Sequence, residues 1–447
     1  MNIKTRIAPS PTGWLHIGTA RTALFNYLFA KHHGGTFAVR SEDTDRARSL
    51  PEYEEEILAG LAWLGLSHDE FVRQSERVGR HQELLEKIVA EGKAYVSEEL
   101  RKVKEGEPET GEMINVVRLK NPGTSITFTD LVRGDITFDT AELGDFVIAR
   151  AIDDPLYHFA VVVDDMDMEV SHVIRGEDHI SNTPRQILIQ EAIGATRPQY
   201  AHLPLILAPD RTKLSKRHGA TSLADYRAEG FLPEAFTNYM GLLGWSPGND
   251  REDFSLEELV KTFDLDGVQK HGAIWNREKL LDVNQRWMRK LSDGQFVAQG
   301  NLEAPDSTKL TAIVPLIKEH AKTFGEARAL IEGEFSMFFA TPTPDRAVLT
   351  AKEPTVAPDS TRTHLSAFAS QLTTLQEGMS ADELKAVLMP YADAITKEQG
   401  GRGAALWPLR YALSGLERSP DPFTLISILG LEESKVRIQN ALDILEG

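Results

Sequence analysis

Cysteine is absent from all 447 residues, which excludes disulfides, a thiolate nucleophile and a zinc site built on sulfur. No run approaches the roughly 20 apolar residues of a membrane span. The opening Met1-Asn2-Ile3-Lys4-Thr5-Arg6 leads directly into an expected strand and offers no signal peptide. A cytoplasmic protein with no membrane partner is the expectation. Gly-x-x-x-x-Gly-Lys and Gly-x-Gly-x-x-Gly are also missing, so the two common phosphate-binding fingerprints do not apply. Positive charge is scarce: 49 Lys and Arg face 67 Asp and Glu, a formal net charge of −18. Contact with nucleic acid would therefore depend on local distribution and not on the sum. One local stripe exists, with Lys270, Arg277, Lys279, Arg286, Arg289 and Lys290 set against Glu278 and Asp282. It is either a phosphate-contacting surface or an ordinary solvated helix face.

What the chain does have is the run Arg6-Ile7-Ala8-Pro9-Ser10-Pro11-Thr12-Gly13-Trp14-Leu15-His16-Ile17-Gly18-Thr19. It reads as a short extended segment, a turn through Pro9, Pro11 and Gly13, and the start of a helix. The apolar positions Ala20, Ala23, Leu24, Tyr27 and Leu28 follow the helical period. Free N–H groups at such a helix entrance, with the helix dipole behind them, favour phosphate. The alternative for His16 is a hydrogen-bonded core histidine beside a turn. A second stretch, Lys213-Leu214-Ser215-Lys216-Arg217 with His218, is a basic loop after the apolar run Leu203-Pro204-Leu205-Ile206-Leu207. Alone it is a solvated charge run; opposite a phosphate-type turn it can supply mobile cations.

Length points to two or more domains. Strand 36–39 follows the first helix, and Ile57, Leu58, Leu61 and Leu64 give the next helix an apolar face behind a Ser49-Leu50-Pro51-Glu52 capping box. This β-α-β-α alternation argues for an α/β, doubly wound parallel sheet. Ligands of such sheets bind beyond the carboxyl ends of the strands, where Ser10 and Glu42 would lie. From about Tyr95 to Ile152 the pattern changes to short strands at 116–119, 124–128 and 135–138, as in an insertion. Strands at 157–163 and 169–174 are expected to resume the sheet, followed by a helix from Asn182. Helices are expected at 232–243 and 255–262, the second opened by a Ser255-x-x-Glu258 box. Residues 301–307 read as a linker, and the remainder as helices at 310–324, 325–339, 362–375, 381–391 and 431–445. Pro342, Pro344, Pro354 and Pro358 mark one exposed loop among them.

Taken together, these motifs resemble class I aminoacyl-tRNA synthetases, and among them the bacterial glutamyl-tRNA synthetases. His16-Ile17-Gly18-Thr19 is similar to the HIGH motif, with Thr19 in place of its second histidine, and Lys213–Arg217 is similar to KMSKS. Ser41-Glu42-Asp43-Thr44-Asp45, Val173-Ile174-Arg175-Gly176-Glu177-Asp178-His179, Leu242-Leu243-Gly244-Trp245-Ser246, Leu409-Arg410 and Ser414-Gly415 extend the resemblance over essentially the whole chain. It implies a Rossmann-like catalytic region over about 1–304, with halves at about 1–94 and 153–210. An inserted acceptor-binding domain would occupy about 95–152, a stem-contact region about 211–304, and an all-α anticodon-binding domain 305–447. Some relatives carry a zinc knuckle in the insertion; without cysteine, no zinc is expected here.

The reaction implied is activation of L-glutamate with ATP and Mg2+, then transfer to the glutamate tRNA, carried out by a monomer. In-line attack of a carboxylate on the α-phosphate needs no general base; it needs positioning and stabilisation of charge on phosphate oxygens. The resemblance assigns His16, Lys213 and Lys216 to catalysis. It assigns Pro11, Gly13, His16, Gly18, Thr19, Glu177, Lys213, Ser215 and Lys216 to ATP, with no dedicated protein metal site. Arg6, Ala8, Ser10, Glu42, Tyr157 and Arg175 fall to glutamate. Arg suits a carboxylate because its planar fork pairs bidentately, which a neutral amide satisfies poorly. The alternative for Arg175 is a salt bridge to Glu177 or Asp178. Arg286, Arg289, Arg410, Ser419, Pro420 and Phe423 are expected at the tRNA.

A glutaminyl-tRNA synthetase shares the catalytic domain but usually ends in β-barrels, which the helical C-terminal third disfavours. A tRNA-modifying paralogue lacks the anticodon domain, and a catalytically dead homologue would not need His16, Lys213 and Lys216. Replacing Lys216 with Ala should slow activation by roughly 10²–10³, the scale of one lost transition-state charge stabiliser, with glutamate binding nearly unchanged. Single-turnover kinetics measures this; a wild-type rate would remove Lys216 from the mechanism.

Overall fold

The computed structural model describes residues 2–100, 112–215, 222–355, 357 and 359–446. The chain forms two compact units, Met1–Asn284 and Gln285–Gly447. The division falls inside the helix Arg277–Lys290, upstream of the polar stretch 301–307.

In the first unit, strands Lys4–Ile7, Thr36–Ser41 and Glu70–Arg73 form a parallel sheet in that order. The helices Ile17–His32 and Pro51–Trp63 make the crossovers. The second half of the fold supplies the parallel strands His172–Gly176 and Gln199–Leu203 around the helix Thr183–Ile193. The two halves meet where Ser171 N–H donates to the Lys4 carbonyl (3.0 Å) and Lys4 N–H to Ser171 Oγ (2.7 Å). Asn26, fully buried on the first helix, adds a bond from Nδ2 to the Ile174 carbonyl (2.9 Å). Ile7 and Gly176 thus end side by side where the strand order reverses, the place where doubly wound sheets bind ligands.

Between the halves lies an antiparallel sheet of Ala94–Leu100, Met113–Leu119, Phe146–Ala151 and Asp154–Pro155. The hairpin Ser125–Asp130 and Gly134–Asp139 instead extends the second parallel sheet, through Asp130 beside Tyr200. Residues 101–111 lie outside the described residues. The expected strand 157–163 is a helix, Tyr157–Asp167. Phe159, Ala160, Val161, Val162 and Val163 are all buried, and a short apolar run enclosed on every side has no period to separate helix from strand. The next strand begins at His172, because Glu169 turns the chain with φ 55°.

The Ser49 capping box does not form. The helix starts at Pro51 behind Leu50, and Ser49 Oγ is buried without a partner among the described residues. The Ser255–Glu258 box does form. Helices Leu223–Glu229, Pro233–Leu242 and Leu256–Thr262 complete this unit, with Tyr226, Phe236 and Tyr239 packed against Trp275.

The second unit is helical, from Asp293–Gly300 to Leu431–Glu446. The expected helix 310–324 stops at His320, and a new one runs Phe324–Glu332, capped by Thr323. Gly401–Ser414 and Pro422–Leu429 are helices that the sequence pattern did not single out. The proline-marked loop holds a short helix, Arg346–Leu349; Pro358 lies outside the described residues. Arg437 is almost fully buried and donates to the carbonyls of Leu413 (2.6 Å) and Ala340 (3.1 Å), closing the last helix onto the bundle.

Gly35 is needed for close approach. A Cβ there would run into the carbonyl oxygen of Ile3, which accepts the Thr36 N–H (2.9 Å) that starts the sheet. Gly35→Ala should destabilise by about 1–3 kcal/mol, the usual cost of overpacking, read as a shift of the first denaturant transition. An unshifted midpoint would show that the strands yield freely.

Candidate active site

A cleft of about 420 Å³ opens at the strand-order reversal. Arg6, Ala8, Ser10, His16, Gly18, Thr19, Glu42, Tyr157, Arg175 and Lys213, all expected from sequence, line it. His16 is the N-cap of the first helix, and its Nδ1 accepts the Gly18 N–H at 3.0 Å. In the neutral ring Nε2 then carries the proton. Lys213, well exposed, pairs with Asp178 Oδ2 at 3.0 Å, a contact that solvent weakens.

Arg175 makes no salt bridge to Glu177 or Asp178. Its Nε donates to His202 Nε2 (3.1 Å), Nη1 to Gln186 Oε1 (2.7 Å), and Nη2 to Thr183 Oγ1 (2.8 Å) and the His179 carbonyl (3.4 Å). His202 Nδ1 meets Asp130 Oδ2 at 2.6 Å, so its proton sits there and Nε2 stays an acceptor. Burial holds His202 below its usual value and also lowers Arg175. Every direct partner of this 6 % exposed guanidinium is neutral.

Arg6 and Glu42 sit in a different environment. Arg6 grips Asp165 in a fork, Nε to Oδ1 at 3.0 Å and Nη2 to Oδ2 at 3.2 Å. Arg40, fully buried, donates Nη1 to the same Asp165 Oδ1 (2.6 Å) and Nη2 to Glu42 Oε1 (3.2 Å). Asp164 lies beneath, held by Gln74 Nε2 (2.8 Å), Arg77 Nε (2.6 Å) and His81 Nε2 (2.8 Å). Burial alone would push Asp165 up, but Arg6 and Arg40 hold it below the carboxylate range. At Glu42 burial prevails over Arg40 and Arg6, and its pKa is raised.

Several expected residues stand elsewhere. Pro11 lines a neighbouring hollow, and Gly13 and Ser215 are not part of the cleft wall. Glu177 accepts the Leu205 N–H (2.8 Å) and a bond from Arg133, tying the strand end to the loop beyond it. Lys216 lies outside the described residues, as do Arg217 and His218. In the second unit, Arg289 Nε donates to the Lys318 carbonyl (3.2 Å), near the end of the helix Ser307–His320. Arg410 donates to Ser419 Oγ (3.0 Å) and the Glu417 carbonyl (2.6 Å), which fixes the turn leading to Pro420. Phe423 is 4 % exposed and presents no face for a base.

Sequence reading passed over Arg40 and Arg21, and gave no site role to Asp178 and His179, which also line the cleft. Arg40 precedes Glu42 by two, so both share one face of the strand. Arg21 follows Gly18 by one helical turn; burial pushes its pKa down to about 10, Nη2 donates to the Pro204 carbonyl, and Nε and Nη1 have no partner among the described residues.

Comparison with known proteins identifies the family. The family described as tRNA synthetases class I (E and Q), catalytic domain, matches residues 2–111 and 97–282. An anticodon binding domain family matches 279–442. A glutamate–tRNA ligase of Thiobacillus denitrificans is 41 % identical over 480 aligned residues, covering 98 % of both chains. One from Herminiimonas arsenicoxydans is 40 % identical, covering 98 % of this chain and 99 % of its own. A crystal structure of a glutamate tRNA ligase from Elizabethkingia meningosepticum, in complex with its amino acid, superposes with a TM-score of 0.85 at 32 % identity over the full length of both chains.

Replacing Arg40 with Met would leave Asp165 and Glu42 short of a buried cation, at a cost of about 3–5 kcal/mol near pH 7. Asp164 and Asp165 have lowered folded pKa values, so their stabilisation is present above the unfolded carboxylate pKa and lost as pH falls. The deficit of the variant should therefore shrink toward pH 4. Denaturant unfolding at both values measures this; an equal deficit would mean lost packing and not lost charge.

Proposed function

The chain belongs to the glutamate–tRNA ligases of the class I tRNA synthetases, and from that premise we propose that it joins L-glutamate to the glutamate tRNA in two steps at this cleft. The observation that carries the reading is Arg175, a buried cation whose direct partners are all neutral. A substrate carboxylate would complete it. Arg6 has two nitrogens on Asp165, which leaves Nη1 to assist. Glu42 receives the substrate ammonium, with Tyr157, Ala8 and Ser10 shaping the walls.

ATP occupies the other end, between Gly18 and Thr19 on one side and Lys213 on the other. The α-carboxylate attacks the α-phosphorus, a new O–P bond forms, and pyrophosphate leaves. His16 Nε2–H and the ammonium groups of Lys213 and Lys216 take up charge on the phosphate oxygens. The tRNA 3′-terminal hydroxyl then attacks the adenylate carbonyl, and AMP departs. The described residues hold no group of three or more His, Asp or Glu able to bind a metal. Mg2+ enters on the triphosphate as part of the substrate. The helical unit reads the anticodon, with Arg410, Ser419 and Pro420 in the contact region and Phe423 supporting it from within. Arg286 and Arg289 approach the backbone. The enzyme works as a cytoplasmic monomer.

Charging assays with purified glutamate and glutamine tRNAs test the reading; no charging of the glutamate tRNA would end it. Arg175→Leu should raise the glutamate KM by about 10²–10³, the cost of an unpaired buried charge, while the ATP KM moves a few-fold. Equal losses for both substrates would make Arg175 a structural residue.

A further inference from the structure

Arg175 and His202 are direct neighbours on the paired strands His172–Gly176 and Gln199–Leu203. Tyr200 lies two residues before His202 and shares its face of the strand. The two rings stack 6.1 Å apart at 10°, and Arg175 Cζ sits 5.7 Å from the Tyr200 centroid. The rings support the guanidinium, but the imidazole nitrogen aims it. His202 Nε2 can accept the Arg175 Nε–H (3.1 Å) only while it carries no proton itself. With the proton on Nε2, two N–H groups would face each other at that distance in a fully buried site.

The bond made by the other ring nitrogen settles the tautomer. That bond goes to Asp130, 2 % exposed at the end of the strand Ser125–Asp130 in the inserted hairpin. Asp130 Oδ1 accepts the N–H groups of Val132 and Arg133, both at 3.0 Å, and more weakly that of His202 (3.3 Å). Oδ2 accepts the His202 N–H (3.0 Å) and Nδ1–H (2.6 Å). Burial would push this carboxyl up, but His202 and the backbone N–H groups hold it below its ordinary value. An ionised carboxylate accepts and never donates, so the imidazole proton has one place to be.

We propose that Asp130 is a positioning residue for the substrate carboxylate: it holds the His202 proton on Nδ1 and so leaves Nε2 to orient Arg175. The inference rests on the proposed function, because it is glutamate that brings the carboxylate. The bonds from Nε, Nη1 and Nη2 to His202, Gln186 and Thr183 pin the plane of the fork. A carboxylate pairs bidentately only with a fork presented in the right plane. A residue that merely braced the hairpin would favour neither substrate.

Asp130→Asn tests this on the full chain. The amide has one acceptor oxygen for donors that used two. The N–H groups of Val132 and Arg133 cannot change role, whereas an imidazole can move its proton. The oxygen therefore stays with the turn, the NH2 group faces Nδ1, and the proton moves to Nε2 against Arg175. The glutamate KM should rise about 10- to 100-fold, the scale of one lost hydrogen bond to a charged group, while the ATP KM stays near wild type. Nitrogen NMR of histidine-labelled protein should show His202 bare at Nε2 in the wild type and protonated there in the variant. In a His202→Leu background, which has no tautomer to set, Asp130→Asn should raise the glutamate KM no further. Thr137→Val, which removes an exposed contact with Thr127 (2.9 Å) on the same hairpin, should leave it unchanged. Equal rises for both substrates, an unaltered tautomer, or an undiminished effect beside His202→Leu would each overturn the proposal. Should the double variant fail to fold, the tautomer and the KM split decide alone. A wild-type chain that does not use glutamate ends the functional reading. A wild type that charges normally, beside an Asp130→Asn variant that loses nothing, ends this inference alone.

Discussion

Two adjacent carboxylates on one buried helix constrain the catalytic unit. Asp164 and Asp165 lie at the C-terminal end of Tyr157–Asp167, where the helix dipole already presents negative charge. Both are at least nine-tenths buried. Such groups persist only when cations and donors reach them directly. The cations come from far along the chain: Arg6 from the first strand, Arg40 from the second, and Arg77 just before the helix Val78–Ala90. The apolar core alone would hold the two sheet halves loosely in register. The charge cluster admits one arrangement, because a slip of one residue would turn Arg6 and Arg40 to the other face.

That constraint gives the cleft two kinds of arginine. Arg6 and Arg40 are both paired with protein carboxylates, which hold them in place and leave Nη1 of Arg6 over. Arg175 is surrounded by Gln186, Thr183, His202 and a backbone carbonyl, which orient the guanidinium without neutralising it. His202 can do this only while Asp130 keeps the proton on Nδ1, and Asp130 comes from the inserted hairpin. The insertion therefore shapes the Arg175 end of the cleft as well as extending the sheet. A neutral shell around one cation is a physical basis for preferring a carboxylate over an amide, since an amide would leave the buried charge uncompensated.

The extent to which this was legible in the sequence differs by kind of signal. The turn through Pro9 and Pro11 and the helix entrance at His16 were legible because local chemistry determines them, whereas Arg175 entered through the family resemblance. The first crossovers followed from hydrophobic period. The segment 157–167 misread because its apolar run is enclosed and β-branched, and periodicity carries no information there. The helix Gly401–Ser414 was hidden by its glycines and by Pro408, which tertiary packing overrides. Arg40 was missed for another reason. Its neighbours in sequence say nothing of Asp165, which is brought to it only by the completed sheet.

The placement of arginines also explains how an acidic chain can serve a nucleic acid. Arg6, Arg21, Arg40, Arg175 and Arg437 are buried, but so are Glu42, Asp130, Asp164 and Asp165, so the solvent-facing surface stays about as acidic as the formal sum. Much of the basic stripe is committed as well. Arg277 pairs with Glu229, Lys279 with Glu252 at 2.8 Å, and Arg289 with helix-end carbonyls. A broad positive field would hold any polyanion, with affinity set mainly by salt. A surface on which carboxylates outnumber cations favours a partner whose shape brings phosphates to the cations that are present. Selection then rests on geometry, and the negative remainder of the surface repels every nucleic acid that fits less well.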